Sequence, residues 1–406
     1  MRPYAPPTPM TSGPLDGVRV LEVANWLAAP AGCALLADFG ADVVKVEPPR
    51  GDPYRGYGGV QTGFNYFFEL DNRGKRGMTL DLDKADAREV LYRLLPETDV
   101  FVTNLLAGRR ERYGLTYEVL SKHRPDLIFV SVTGYGSEGP DRDRPGYDYA
   151  AYWARTGIMG MMGEPDSAPP AQRPGMGDHT TAMLVAGSTA MALLHRQKTG
   201  EGQQVDVSLH NTGLWVLGVD VQLALASKIN MPRVSRKAVP NPLWNTYETK
   251  DGRWIMCVML VADTYWPKFC KALAREDLRD DERFSSFAGR GMNNQALIGI
   301  LDEIFATQTL EEWRPRLDAE GLIWAPAQTL TEAINDPQAQ ARQPFVEIDH
   351  PTQGPIRLID TPAKFSRSKV GIRGPAPELG QNTEEVLLAA GYDWEEISQL
   401  RTDGVI

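Results

Sequence analysis

Pro174-Gly175-Met176-Gly177-Asp178-His179-Thr180-Thr181 sets one carboxylate between a glycine-framed turn and the start of an apolar helix. Asp is among the preferred helix N-caps, so Asp178 reads first as a cap. A cap does not need glycines on its N-terminal side, whereas two of them allow a tight turn and let a bulky group approach the carboxylate. A carboxylate so placed can act as a covalent nucleophile, with backbone N–H groups around 177–179, or in a facing loop, steadying the charge that develops. Local pattern leaves both readings open, and it leaves His179 as either a local hydrogen-bonding group or a packing residue. Other reactive side chains do not gather. Cys33, Cys257 and Cys270 lie far apart in apolar settings and read as buried thiols, Cys33 being the alternative nucleophile. The five histidines form no HExxH or similar cluster, so no metal site is expected.

The elements that must position Asp178 alternate between strand and helix. Residues 179–198 read as a buried, closely packed helix, with Met183, Val185, Met191, Leu193 and Leu194 separated by Ala182, Ala186, Gly187, Ser188 and Ala190. Upstream, 18–23 reads as a strand, 31–39 as a helix opened by Pro30 and closed by Gly40, and 43–46 as a second strand, which is a βαβ unit. Helices at 85–95 and 117–123 then alternate with strands at 99–103 and 127–132, and a strand at 203–209 precedes a helix at 211–227. The expected class is α/β, with a doubly wound, mostly parallel sheet. The turn Ala24-Asn25-Trp26-Leu27-Ala28-Ala29-Pro30 lacks the glycines of a dinucleotide-binding fingerprint, which excludes nicotinamide and flavin dinucleotides there.

Texture divides the chain further. A Pro-rich leader covers 1–13, and a large domain runs over 14–227. A polar, proline-bearing linker follows at 228–242, then a smaller α+β domain at 243–335, with a return to the large domain over 336–406. The smaller domain opens on a hairpin around Lys250-Asp251-Gly252 and continues with helices at 263–273, 294–305 and 310–319. With 42% hydrophobic and 24% charged residues and a net charge of −10, the chain reads as globular and does not favour nucleic acid. It shows neither a secretory signal nor a membrane-spanning run, so a cytoplasmic protein is expected. Two basic stretches, Asn72-Arg73-Gly74-Lys75-Arg76 and Gly108-Arg109-Arg110-Glu111-Arg112, either hold phosphates or form solvated surface. Met159, Met161 and Met162 read as an adaptable pocket wall or as ordinary loop packing.

Several ordered segments, taken together, resemble the class III CoA-transferases, the CaiB/BaiF family of formyl-CoA and carnitine CoA-transferases. They are Leu15-Asp16-Gly17-Val18-Arg19-Val20-Leu21, Gly40-Ala41-Asp42-Val43-Val44-Lys45-Val46-Glu47, Gly51-Asp52-Pro53-Tyr54-Arg55, the Asn72–Arg76 stretch, Gly146-Tyr147-Asp148, Gly177-Asp178, Lys198-Thr199-Gly200-Glu201-Gly202-Gln203 and Leu379-Gly380-Gln381-Asn382-Thr383. The resemblance implies an interlaced homodimer of ring-like chains, with a large domain built from both termini and a smaller one inserted. It also implies a covalent aspartyl nucleophile at Asp178, coenzyme A thioesters as substrates and no tightly bound cofactor. Positions similar to the family's CoA contacts are Asn25, Trp26, Leu27, Ala28, Lys75, Arg76, Leu80, Asp81, Asn104, Leu105, Arg112, Arg144 and Tyr147. Where the family often has Asn-Phe-Arg-Pro-Gly, this chain has Asn104-Leu105-Leu106-Ala107-Gly108, and Arg109 or Arg112 stands in for the missing arginine. The family's Gly-rich lid is replaced by Ala238-Val239-Pro240-Asn241-Pro242-Leu243-Trp244.

Tyr147 separates chemistries. The related α-methylacyl-CoA racemases carry a histidine base there, and a phenol with a pKa of ~10 is a poor base at neutral pH. Racemase or other isomerase chemistry is thus the runner-up to CoA transfer, followed by a non-catalytic CoA-binding protein. Within the family the segments Val23–Pro30, Pro145–Tyr149 and Gly177–His179 look most like the branch that acts on aryl-lactates and other 2-hydroxy acids. Trp26, Leu27, Met159 and Met161 suit an apolar acyl group.

Overall fold

The computed structural model describes residues 12–58 and 62–406, so most of the expected leader lies outside the described residues. Six short strands, β1 (Arg19–Val23), β2 (Asp42–Glu47), β3 (Arg76–Thr79), β4 (Val100–Thr103), β5 (Ile128–Thr133) and β6 (Gln203–Ser208), form one sheet in the order β3-β2-β1-β4-β5-β6. Every pairing in it is parallel. Parallel strands need crossovers, which run through α1 (Ala28–Asp38), α2 (Tyr66–Asn72), α3 (Ala85–Leu94), α4 (Ala107–Tyr113), α5 (Tyr117–His123), α6 (Ile158–Met161) and α7 (Met176–Thr199). Two further helices, α8 (Leu209–Val216) and α9 (Gly218–Ser227), follow β6.

Side chains alternate across the sheet, so it has two apolar faces. Val20, Val43, Val100, Val102, Ile128 and Val130 pack with α1 and α7 on one side. Leu21, Val44, Phe101 and Phe129 pack with Leu91 of α3 and Leu120 of α5 on the other, joined by Val386 and Ile397 from the C-terminal helices Thr383–Ala389 and Trp394–Thr402. The contact between α1 and α7 is close because Gly32 faces Val185, where an added Cβ would lie 2.7 Å from Val185 Cγ1.

The chain divides into two compact units. One holds the described residues up to Met159 with Ala171–Lys228 and Gln343–Ile406, and the other holds Gly160–Pro170 and Ile229–Arg342. The second unit has its own core, including Tyr247, Trp266, Phe269, Phe305 and Trp313. That core packs beside a three-stranded antiparallel sheet of β7 (Trp244–Glu248), β8 (Trp254–Val258) and β9 (Trp324–Pro326). In the first unit, β10 (Phe345–His350) and β11 (Gly354–Ile359) form an antiparallel pair.

Three local expectations change. The first helix begins at Ala28, so Pro30 lies inside the first turn, where the missing N–H has no intrahelical partner to lose. The expected 211–227 helix is two helices broken at Leu217, and it starts earlier, with Ser208 accepting a capping bond from Asn211 N–H. The helix that carries Asp178 starts at Met176 after Gly175, which sits at φ +76°. Asp178 is therefore inside the first turn and caps nothing.

Below the carboxyl ends of β1 and β2 lies a buried cluster of charges. Lys45 Nζ donates to Glu22 Oε1 (3.0 Å), Ala24 O (2.9 Å) and Asp52 Oδ2 (2.9 Å). Lys75 Nζ lies 2.7 Å from Glu22 Oε2 and donates to Pro30 O and Asn72 Oδ1. Burial opposes the charge on Glu22, but the two ammonium groups outweigh it and hold its pKa below the ordinary value. Lys45, facing Glu22, Asp52 and Glu47, is held above its ordinary value against the same burial. Lys45→Met would leave two buried carboxylates short of a cation, so denaturant titration should show a loss of ~3–5 kcal/mol. Adding Glu22→Gln should recover part of that loss, and an unchanged midpoint for the single variant would remove this role.

Candidate active site

The strand order reverses between β1 and β4, and connections leave their carboxyl ends in opposite directions, which opens a crevice at that edge. A cavity of about 840 Å³ occupies it. Its wall is made by the turns after β1 and β4, the end of β5 at Val132–Gly134, the 145–149 segment and the start of α7. That volume falls in the range of small-molecule sites.

The β1 turn is tied down at both ends. Asn104 Oδ1 accepts from Asn25 N–H (3.1 Å), and Asn104 Nδ2 donates to Asn25 O (2.6 Å). Trp26 sits at φ +66°, a left-handed conformation that a bulky residue rarely adopts. Asp52 holds it there: its Oδ1 accepts from Trp26 N–H at 3.1 Å and from Tyr54 N–H at 2.9 Å, while Oδ2 receives Lys45. The indole is thereby set edge-on to Tyr147, ring centroids 5.5 Å apart, with Tyr54 and Tyr57 also close.

Asp178 projects from the first turn of α7 into this cavity. Burial and the neighbouring Asp148 and Asp71 carboxylates push its pKa up to about 7, with His179 pulling in the other direction. Asp148 is buried, its carboxylate facing the N–H groups of Gly177 and Gly175. Burial raises its pKa, partly offset by the N–H groups of Gly177 and Gly175 and by His179. Gly177 has to be glycine because a Cβ there would collide with Asp148 Oδ1 and the Tyr152 ring. His179 Nε2 lies 2.9 Å from Asp71 Oδ1, and Tyr54 O–H donates to Asp71 Oδ2 at 3.2 Å.

The structure brings Asn25, Trp26, Leu27, Ala28, Asn104, Leu105, Tyr147 and Asp178 together around the cavity, and Arg109 joins them. The other expected CoA contacts lie elsewhere. Lys75 is enclosed in the Glu22 cluster with no exposed side-chain surface. Arg76 pairs with Asp42 and Glu385. Leu80 is core, and Asp81 accepts from Asp83 N–H. Arg112 pairs with Asp83 and Arg144 with Asp141, both away from the cavity wall. Within the Asn72–Arg76 stretch two cations are buried in ion pairs, Lys75 with Glu22 and Arg73 with Asp38, and Arg76 pairs nearer the surface. Of the backbone donors expected at 177–179, that of His179 is occupied by Gly175 O (2.8 Å) and that of Gly177 faces Asp148. The alternative nucleophile Cys33 is fully buried, and desolvation holds its thiol protonated, well above the ordinary value. Sequence reasoning missed Asp71, Tyr57 and Phe67 as site residues. Asp71 in Phe67-Phe68-Glu69-Leu70-Asp71 has no local cue, because its partners come from 17 and 108 positions away.

The comparisons with known proteins fit this geometry. Residues 15–383 match CoA-transferase family III, and the chain belongs to that family. It is a CoA-transferase of acyl-CoA metabolism. It is 34% identical over 397 residues to (R)-2-hydroxy-4-methylpentanoate CoA-transferase of Clostridioides difficile, covering 97% of this chain and 99% of that one. It is also 34% identical to cinnamoyl-CoA:phenyllactate CoA-transferase of Clostridium sporogenes, covering 96% of each. Among solved structures, a CAIB/BAIF family protein from Brucella suis superimposes with a TM-score of 0.82 at 32% identity, over 94% of this chain and 100% of that chain. Among the described residues no helix is long and apolar enough to cross a membrane, and no group of three or more His, Cys, Asp or Glu is placed to hold a metal ion.

A native carboxyl whose pKa lies above its unfolded value binds its proton more tightly when folded, so its ionisation weakens the fold as pH rises through that interval. Asp178→Asn should therefore stabilise the protein by up to ~4 kcal/mol at pH 8 and by well under ~1 kcal/mol at pH 4. Thermal melts at the two pH values read this difference, and equal gains at both would contradict the raised pKa.

Proposed function

We propose that the chain moves CoA from an acyl-CoA donor to a 2-hydroxy or aryl carboxylic acid through covalent intermediates on Asp178. The observation that carries this reading is Asp178 itself: it caps nothing, it lines the cavity, and its surroundings raise its pKa to about 7. A more basic carboxylate is a better nucleophile, provided it ionises near the working pH.

Asp178 attacks the thioester carbonyl, the C–S bond breaks, and a mixed anhydride and CoA thiolate result. The thiolate attacks the aspartyl carbonyl, the anhydride C–O bond breaks, and the donor acid leaves as a carboxylate. Asp178 now carries CoA as a thioester. An acceptor carboxylate attacks it and expels thiolate, and the thiolate then takes the acyl carbon of the new anhydride, which frees Asp178. No proton is gained or lost over the cycle. The Asn25 side-chain amide lines the cavity with no hydrogen-bond partner among the described residues, which suits it to an oxyanion. Arg109 lines the cavity without an ion-pair partner among the described residues, which suits it to a CoA phosphate. The apolar wall of Trp26, Leu27, Leu105 and Phe67 suits an apolar acyl group, in keeping with the two relatives whose names carry 2-hydroxy acids.

The chain acts as a homodimer in this reading. Helix α9 buries none of its residues although six of its ten are Val, Leu or Ala, and Met183, Met191 and Leu194 of α7 are also exposed. Apolar surface of this kind suits an interface with a second copy. Met191→Glu together with Leu225→Glu should convert the protein to monomer by light scattering, and an unchanged mass would discard this face as the interface.

Incubation with cinnamoyl-CoA and a panel of other acyl-CoAs, followed by hydroxylamine trapping and peptide mass spectrometry, tests the chemistry. A CoA or hydroxamate adduct is expected on Asp178 and not in Asp178→Asn, forming faster as pH rises through about 7 and the carboxylate ionises. Turnover without any adduct, or solvent deuterium entering the acyl α-carbon instead, would overturn the mechanism.

A further inference from the structure

The transfer cycle moves no proton, so it calls for no acid or base, yet an imidazole stands beside the nucleophile with a carboxylate holding it. His179 Nε2 meets Asp71 Oδ1 at 2.9 Å, Asp71 is only 2% exposed, and Tyr54 O–H occupies the second Asp71 oxygen. Commitment of Nε2–H to Asp71 leaves Nδ1 on the side of Gly175, itself part of the cavity wall. Nδ1 has no hydrogen-bond partner among the described residues, and 46% of the side chain is exposed.

Charge says what such a group is for. Three carboxylates, Asp71, Asp148 and Asp178, converge at this end of the cavity, and a free acid arriving as an anion would be repelled by them. Arg109, the guanidinium of the wall, is taken by CoA phosphate in the reading above. An imidazolium on the Asp71 bond offers a charge-assisted donor to a carboxylate at the one place where the reaction needs a carboxylate to sit.

We propose that His179, fixed by Asp71, is a cationic subsite for free acids, receiving the acceptor carboxylate as it approaches Asp178 and the donor carboxylate as it leaves. The subsite rests on the CoA-transfer reading. The groups that face His179 favour its charge on balance. Burial opposes protonation, but the Asp71 bond and the Asp71 and Asp178 charges outweigh it, with Arg73 a minor opponent, and the pKa lies above the usual imidazole value. Asp148 adds to the negative side.

The test is equilibrium binding in the presence of CoA, made in Asp178→Asn so that neither turnover nor ionisation of Asp178 contributes. The probes are phenyllactate, 2-hydroxy-4-methylpentanoate and cinnamate, each against its neutral amide. Adding His179→Gln keeps a hydrogen-bonding group toward Asp71 and removes the cation. It should weaken the acids about tenfold while the amides stay within about twofold. With His179 present, acid affinity should fall as pH rises past the imidazole range, because the charged form is lost there. Asp71→Asn should move that fall to lower pH, and the His179→Gln profile should be flat.

Equal weakening of acid and amide would make His179 a structural residue and overturn the subsite, as would a parent that binds no acid better than its amide. The Asp178 adduct in the wild-type protein is read separately. If it forms while acid preference survives His179→Gln, transfer stands and the subsite fails. If it never forms while acid preference follows His179, the subsite stands and the transfer mechanism fails.

Discussion

Lys45 keeps its charge with none of its side chain in water, and the shape of the crevice depends on how that charge is met. Its partners are Glu22 on the neighbouring strand, Ala24 O where that strand ends, and Asp52 just beyond its own strand. The first two lock β1 to β2 near the sheet edge that opens on the crevice. The third fixes Asp52, whose other oxygen is then oriented to accept Trp26 N–H and Tyr54 N–H. A left-handed tryptophan costs of order 1–3 kcal/mol and persists only where its surroundings overdetermine it. Apolar residues of equal volume could match the buried ions in stability. They could not supply the acceptor that holds Trp26 in place, and with it the aromatic wall against Tyr147.

The legibility of the chain follows the range of the forces involved. Strand and helix alternation was readable because it is a local property: the valine-rich β1, β2, β4 and β5 show it in four to six residues each. β3, with the sequence Arg-Gly-Met-Thr, carries no such pattern and becomes a strand by pairing with β2, so the basic stretch around it could be read as either a phosphate grip or a solvated surface. Arg73, Lys75 and Arg76 are in fact spent on Asp38, Glu22 and Asp42, carboxylates 34 to 53 positions away. Ion pairing over such separations leaves no local mark. The same holds for Asp71, whose role appears only once α2 lies against the start of α7.

Asp178 was readable for a different reason. Its glycines carry backbone information: Gly175 ends the loop in a left-handed conformation, and Gly177 lets Asp148 and Tyr152 approach to where a Cβ would collide. Those constraints set the helix to begin two residues before Asp178, which removes the capping role and turns the carboxylate toward the cavity. Its proximity to Asp148, 30 positions upstream, was not readable, because nothing local in Gly146-Tyr147-Asp148 marks it.

That corner balances two demands. In the proposed reaction a carboxylate that attacks a thioester gains from being basic, and burial beside Asp148 and Asp71 makes Asp178 so. Further negative charge would keep it protonated and repel the acids that the reaction must admit. His179 limits the effect: it lowers the pKa of Asp178 while Asp71 supports its own proton. Without Asp71 the imidazole would lose charge as Asp178 gains it, and without His179 the buried Asp71 would only add to the repulsion. Under the proposed subsite the pair works as a unit, so a substitution on α2 and one on α7 are expected to be non-additive in acid recognition, as for residues sharing one network.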